Sequence, residues 1–209
     1  KAISMFSLNL LTFYSMVCAL LPALVYMIVC RRRKGKVSYI WAMVFNLYVW
    51  LVYNVTGIGT LGDLINRPEG SIQKSVFQGT INLIPFAGVN ISFLLNICMC
   101  IPLGFLLPFL WKAYRRISCT AALGAELSLL IELSQLITAR ATDIDDLIAN
   151  TCGTLIGYGI WKIFIKIFGL HLKNPGKKKA EAVVYIGLCF LGIFFLYHPF
   201  WFAVHIAGY

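Results

Sequence analysis

The sequence predicts an all-α protein that crosses a membrane as a polytopic bundle of transmembrane helices. Of its 209 residues, 60% are hydrophobic and only 12% are charged, whereas a soluble domain of this length needs a charged surface. The mean hydropathy is +0.82. Several apolar runs reach the roughly 20 residues that a helix needs to cross the hydrocarbon core. A β-barrel is disfavoured, because its strands would be about 10 residues long with strict alternation.

Six apolar segments along the chain predict about six spans, with five as the alternative because the first segment is long. They cover approximately 4–30, 37–61, 91–111, 117–137, 147–170 and 182 to near the last residue. We take 1–209 as a single membrane domain. Between the second and third spans, the stretch 76–86 is apolar but is broken by Gly79 and Pro85. It is too short to cross a bilayer, so we expect it to lie in the outer interface or to dip into the bundle.

The distribution of basic residues predicts the orientation of the chain. Fourteen of the 18 Lys and Arg lie in or beside the connections that follow the first, third and fifth segments. By the positive-inside rule these connections are cytoplasmic, and the loop 138–146 is extracellular. The formal net charge of +10 does not indicate nucleic-acid binding, because no basic amphipathic surface accompanies it.

The window 126–150 is the most informative part of the sequence. It contains five of the eight acidic residues in an otherwise apolar and basic chain. A charged side chain at the centre of a bilayer costs on the order of 2.5–3.5 kcal/mol, so such a group is usually paired or kept for function. We therefore expect a functional site in this window.

Helical geometry predicts which polar residues of this window can meet. Ser128, Glu132 and Gln135 share one face of the fourth segment, while Glu126 points about 120° away. The fifth segment is expected to present an opposing face that carries Asp146, Asn150, Gly153 and Gly157. The glycines of that face form a G-x-x-x-G pattern, which lets two helices approach closely, either within one chain or between chains of an oligomer.

The polar residues allow more than one interpretation. They could form a hydrogen-bonded clasp between helices, in which Arg140 neutralises the aspartates. Asp143, Asp145 and Asp146 could instead coordinate Ca²⁺ or Mg²⁺, although carboxylates in a loop more often cap the next helix, for which Asp145 or Asp146 is well placed. We predict no cofactor and keep a divalent cation as the alternative. Asn96, inside the third apolar segment, adds a further polar group.

Four motifs carry a resemblance to a known family. They are N-L-I-P-F at 82–86, N…P-L-G-F at 96–105, I-E-L-S-Q at 131–135 and R-x-x-D-x-D-D-x-x-x-N-T-x-G-x-x-x-G-Y at 140–158. Together they resemble the VanZ-like family over about 82–161. The family motif falls on Asn82, Pro85, Glu132, Gln135, Arg140, Asp143, Asp146, Asn150 and Gly153.

The resemblance implies an integral protein of the bacterial plasma membrane that lowers susceptibility of Gram-positive cells to teicoplanin-type lipoglycopeptides, with no established enzymatic reaction. We expect an outer-leaflet polar pocket that binds a lipid-linked envelope component or the drug, among membrane lipids. The alternatives are an intramembrane enzyme on lipid-linked sugar or phosphate, with Glu132 as general acid or base, and a small lipid transporter or flippase. The candidate ligand-binding residues are Asn82, Asn96, Glu126, Ser128, Glu132, Gln135, Arg140, Asp143, Asp145, Asp146 and Asn150.

Overall fold

The computed structural model describes residues 2–29, 36–65, 81–82, 84–86, 91–138, 142–168 and 180–205. Almost all of these residues are helical, which confirms the predicted all-α bundle. The helices in this part of the chain are α1 (Ala2–Val29), α2 (Lys36–Thr56), α3 (Leu61–Ile65), α4 (Ile91–Leu110), α5 (Ile117–Gln135), α6 (Ile144–Phe168), α7 (Ala180–Leu196) and α8 (Pro199–His205). Lys112–Arg115 forms a 3-10 turn between α4 and α5.

Five helical segments of the described chain are long and apolar enough to cross a membrane. They are Asn9–Val29, Tyr39–Ile65, Ile91–Leu110, Ile117–Gln135 and Ile144–Phe168. The sixth predicted segment corresponds to α7, an apolar helix of 17 residues. The chain is therefore a multi-pass membrane protein. Most of the predicted interfacial segment 76–86 lies outside the described residues.

The chain divides into two compact units, and the prediction of a single domain stays a prediction. The first unit comprises Lys1–Gly79, Ser134–Arg140 and Tyr185–Tyr209. Its interior is built on α2, whose Phe45, Val49 and Tyr53 are almost completely buried. The Tyr53 hydroxyl donates to the Ile186 carbonyl oxygen at 3.2 Å, so α2 and α7 are joined within this unit.

The second unit comprises Thr80–Leu133 and Ala141–Val184, and its main contact is between α4 and α6. A Cβ added to Gly153 would overlap the carbonyl of Ile97, and one added to Gly157 would overlap the carbonyl of Ile101. The face of α6 that carries Gly153 and Gly157 therefore lies against α4, whereas the sequence predicted that it would face α5. On α5, Gly124 allows a similar approach to the side chain of Thr154.

Two strands of two residues each bring distant parts of the second unit together. Strand β1 (Ile81–Asn82) pairs in parallel with β2 (Thr142–Asp143), with Asn82 opposite Asp143. Because β2 immediately precedes α6, this pairing places Asn82 at the start of that helix.

Candidate functional site

Four carboxyl groups of the second unit lie where α5 ends and α6 begins. We call Glu132, Asp143, Asp145 and Asp146 the carboxylate cluster. Glu132 is 4% exposed and Asp145 is 3% exposed, while Asp143 and Asp146 are partly exposed. The cluster thus combines two buried carboxyl groups with two that a ligand could reach.

Asp143 connects three elements of this site. Its backbone N–H donates to Glu132 Oε2 at 3.2 Å, and its Oδ2 accepts from Asn82 Nδ2 at 3.3 Å. Its Oδ1 accepts from the backbone N–H of Asp145 at 3.0 Å, the geometry of a helix N-cap. The sequence pointed to Asp145 or Asp146 as the cap. The cap is Asp143 because α6 begins at Ile144, three residues before the predicted start at Leu147.

Asp145 holds the short segment 84–86 against the start of α6. Its Oδ1 accepts from the backbone N–H of Phe86 at 2.6 Å. Phe86 has a φ of 61°, which is uncommon for a residue with a side chain. Asn82 Oδ1 accepts from the Ile84 N–H at 3.2 Å, closing the turn. The motif N-L-I-P-F therefore serves to bring backbone and amide donors to the aspartates.

Asparagine side chains join the helices just below the cluster. Asn96 Nδ2 on α4 donates to Asp146 Oδ1 on α6 at 2.6 Å. One turn further along α6, Asn150 Nδ2 donates to Ser128 Oγ on α5 at 2.9 Å, and Cys100 Sγ on α4 lies 3.3 Å from Asn150 Oδ1. Asn150 is thus the point at which α4, α5 and α6 share polar contacts.

Comparison with known proteins identifies the family of this chain. The VanZ/LLP1 family model matches residues 43–165, more than half of the chain. The chain belongs to the VanZ/LLP1 family. It is 29% identical over 163 residues to Protein VanZ of Enterococcus faecium, an alignment that covers 77% of this chain and 86% of that relative. No solved structure matches the chain. The predicted resemblance to the VanZ-like family is confirmed, and the matched region includes the whole carboxylate cluster.

In this VanZ/LLP1 member, three of the predicted site residues are not among those that the described second unit brings together at the cluster. Gln135 belongs to the first unit, where its Nε2 donates to the Thr56 carbonyl at 2.9 Å. Glu126 is exposed on another face of α5. Arg140 lies outside the described residues. The others are brought together, namely Asn82, Asn96, Ser128, Glu132, Asp143, Asp145, Asp146 and Asn150.

Glu126 lies near a different feature of the second unit. Burial raises the pKa of Tyr114 to about 12, and the negative charge of Glu126 adds to this effect. Within the described residues, Glu126 has no hydrogen bond to the carboxylate cluster. Its inclusion among the ligand-binding residues stays a prediction.

Cys100 and the backbone N–H of Phe86 are not among the site residues predicted from the sequence. Cys100 follows Asn96 by four positions, so helical periodicity could have placed both on one face of α4. The contribution of Phe86 depends on the turn that follows β1, for which the sequence has no periodic signal. Among the described residues, no group of three or more His, Cys, Asp or Glu is arranged to hold a metal ion.

Replacing Asn150 by alanine should lower the free energy of unfolding by about 1–2 kcal/mol, because an interhelical hydrogen bond between membrane helices contributes about this much. The matched control is Thr151→Ala on the same helix. The Thr151 hydroxyl bonds only to the Leu147 carbonyl of its own helix among the described residues. Thermal unfolding in detergent measures both variants. Equal melting temperatures for the two would contradict a structural role for Asn150.

Proposed function

We propose that this VanZ/LLP1 protein lowers the susceptibility of a Gram-positive cell to teicoplanin-type lipoglycopeptides by binding the drug, or a lipid-linked envelope component, at the carboxylate cluster. The observation that carries the proposal is the concentration of four carboxyl groups at one end of the second unit. Membership of the family supports the biological role, and the geometry of the cluster supports a binding mechanism.

The chemistry of the cluster favours a ligand with amine or hydroxyl groups. Within the described residues, Asp143 and Asp146 accept hydrogen bonds from neutral amides. Neutral donors offset less of the repulsion between neighbouring carboxylates than a cation would. An ammonium group forms stronger, charge-assisted hydrogen bonds to carboxylates than a neutral donor does. A drug or envelope precursor with amine and sugar groups has this chemistry.

The apolar surface beside the cluster is suited to an acyl chain. Leu94 and Leu95 on α4 are more than half exposed and immediately precede Asn96, the partner of Asp146. A ligand that carries both a polar head and a fatty chain would place the head at Asp146 and the chain along this side of α4. Under the orientation expected from the positive-inside rule, this end of the second unit faces the outside of the cell.

The test uses a susceptible Gram-positive host that expresses the wild-type protein or Asp146→Asn at equal levels. We expect the wild type to raise the teicoplanin concentration needed to inhibit growth, with little change for vancomycin, which lacks the acyl chain. Asp146→Asn keeps an oxygen that can accept from Asn96 but removes the charge, so it should lose most of the protection.

Asp63→Asn is the control for this test. Asp63 is a carboxylate of the first unit that caps its own turn by accepting from the Thr60 N–H at 2.7 Å, and we expect its loss to leave protection intact. The proposal would be overturned if the wild-type protein protected equally against both drugs. It would also be overturned if Asp146→Asn protected against teicoplanin as well as the wild type does. A change in the mass of an extractable lipid that depends on the protein would point instead to an intramembrane enzyme.

A further inference from the structure

Two buried hydrogen-bond donors of the second unit have no partner among the described residues. They are Arg115 Nη2, in the 3-10 turn after α4, and Trp161 Nε1, near the end of α6. Tyr158 contacts both residues: its hydroxyl donates to the Arg115 carbonyl at 2.7 Å, and its ring centroid is 5.5 Å from that of Trp161. The two unpaired donors therefore belong to neighbours of one tyrosine.

The chemistry of these donors points to a ligand that only accepts hydrogen bonds. Nearly all buried polar groups in folded proteins are paired, and an unpaired donor is unfavourable. An indole N–H and a guanidinium can donate but not accept. Trp161 is 7% exposed, so its N–H is not simply open to bulk solvent. An anion presents acceptor oxygens of the kind that each of these donors lacks.

A cationic side chain lies beside Tyr158, as such an anion requires. Lys162 Nζ lies 5.6 Å from the centroid of the Tyr158 ring, and Lys112 and Arg116 lie within three residues of Arg115 in the sequence. Glu181, an acid of the same unit, accepts from Trp111 Nε1 at 3.1 Å. Arg pairs with phosphate through a planar fork of donors, which makes it a common residue at phosphate sites.

The position of Trp161 along α6 matches the headgroup level of a leaflet. Trp161 follows Ile144 by 17 residues, or roughly 26 Å at about 1.5 Å per residue. This distance is close to the thickness of the hydrocarbon core, about 30 Å. Trp and Tyr are enriched at membrane interfaces, and basic residues there attract anionic lipids.

We propose that Arg115 and Trp161, with Lys162 beside Tyr158, bind the phosphate of an anionic phospholipid headgroup at the end of the second unit opposite the carboxylate cluster. By the positive-inside rule this is the cytoplasmic leaflet. The site uses no residue of the carboxylate cluster, so it stands or fails independently of the proposed function.

Native mass spectrometry of the full-length protein in detergent tests this site with phosphatidylglycerol, phosphatidylcholine and inorganic phosphate as probes. We expect phosphatidylglycerol to bind in preference to the other two. Trp161→Phe and Arg115→Lys should each weaken its binding on the order of tenfold, as expected for the loss of a hydrogen bond to a charged group. Lys166→Gln is the control, because it removes an exposed charge from the same helix and leaves both buried donors in place.

Three results would overturn the inference. Equal binding of phosphatidylcholine would show no selection for an anionic headgroup, and tight binding of inorganic phosphate alone would assign the donors to a free anion. Unchanged phosphatidylglycerol binding by Trp161→Phe would mean that its N–H is satisfied by water. Should one variant fail to fold, the other variant and the lipid preference of the wild type still decide the question.

Discussion

Replacing Gly153 by alanine should separate α6 from α4 and lower the free energy of unfolding by about 3 kcal/mol, the upper part of the range for overpacking. The added Cβ would overlap the backbone carbonyl of Ile97, and a backbone atom cannot move aside as a flexible side chain can. The two helices must therefore move apart as rigid bodies. Ile97 follows Asn96 directly, so the same shift should also break the contact between Asn96 and Asp146.

The control for this prediction is Gly159→Ala on the same helix. A Cβ at Gly159 would meet nothing within 4 Å, and alanine is favoured over glycine in a helix by up to about 1 kcal/mol. We expect Gly159→Ala to unfold at the same or a slightly higher temperature than the wild type, and Gly153→Ala to unfold at a clearly lower one. Similar melting temperatures for both variants would contradict the close approach of α4 and α6.

Replacing Glu132 by glutamine should abolish protection against teicoplanin while leaving the protein folded. A glutamine at this position keeps a side-chain oxygen that can accept from the Asp143 N–H, the contact made by Glu132 at 3.2 Å. The substitution therefore removes the ionisable carboxyl group and preserves the shape. Under the proposed function, the charge of the cluster is what attracts the ligand, so growth inhibition should return to the level of cells without the protein.

Glu126→Gln is the matched control, since it removes an exposed carboxylate from the same helix outside the cluster. We expect it to protect as well as the wild type, at an expression level verified by blotting the membrane fraction. Loss of protection by both variants would indicate a general effect of charge on α5. Full protection by Glu132→Gln would remove Glu132 from the proposed mechanism.

Several features of the site could be predicted from the sequence. Glu132 and Ser128 are four residues apart on an apolar helix, and Asp146 and Asn150 have the same spacing on the next. Helical periodicity alone predicts that each pair shares a face. Helical geometry also predicts that Glu126 and Glu132 point in different directions from their helix, and the structure places Glu126 on an exposed face. The family motif N-L-I-P-F marked the segment that contacts the aspartates, although its contacts were not predictable.

The sequence by itself determined the class of this protein, its apolar helices and the residues of its acidic window, because hydrophobicity and helical periodicity are local properties of the chain. Only the tertiary structure decided which helix the glycines of α6 contact. A G-x-x-x-G pattern specifies a close approach but not the partner, and here the carbonyls of Ile97 and Ile101 on α4 occupy the space. The pairing of Asn82 with Asp143 was likewise beyond the sequence, because these residues are 61 positions apart and no local pattern couples them.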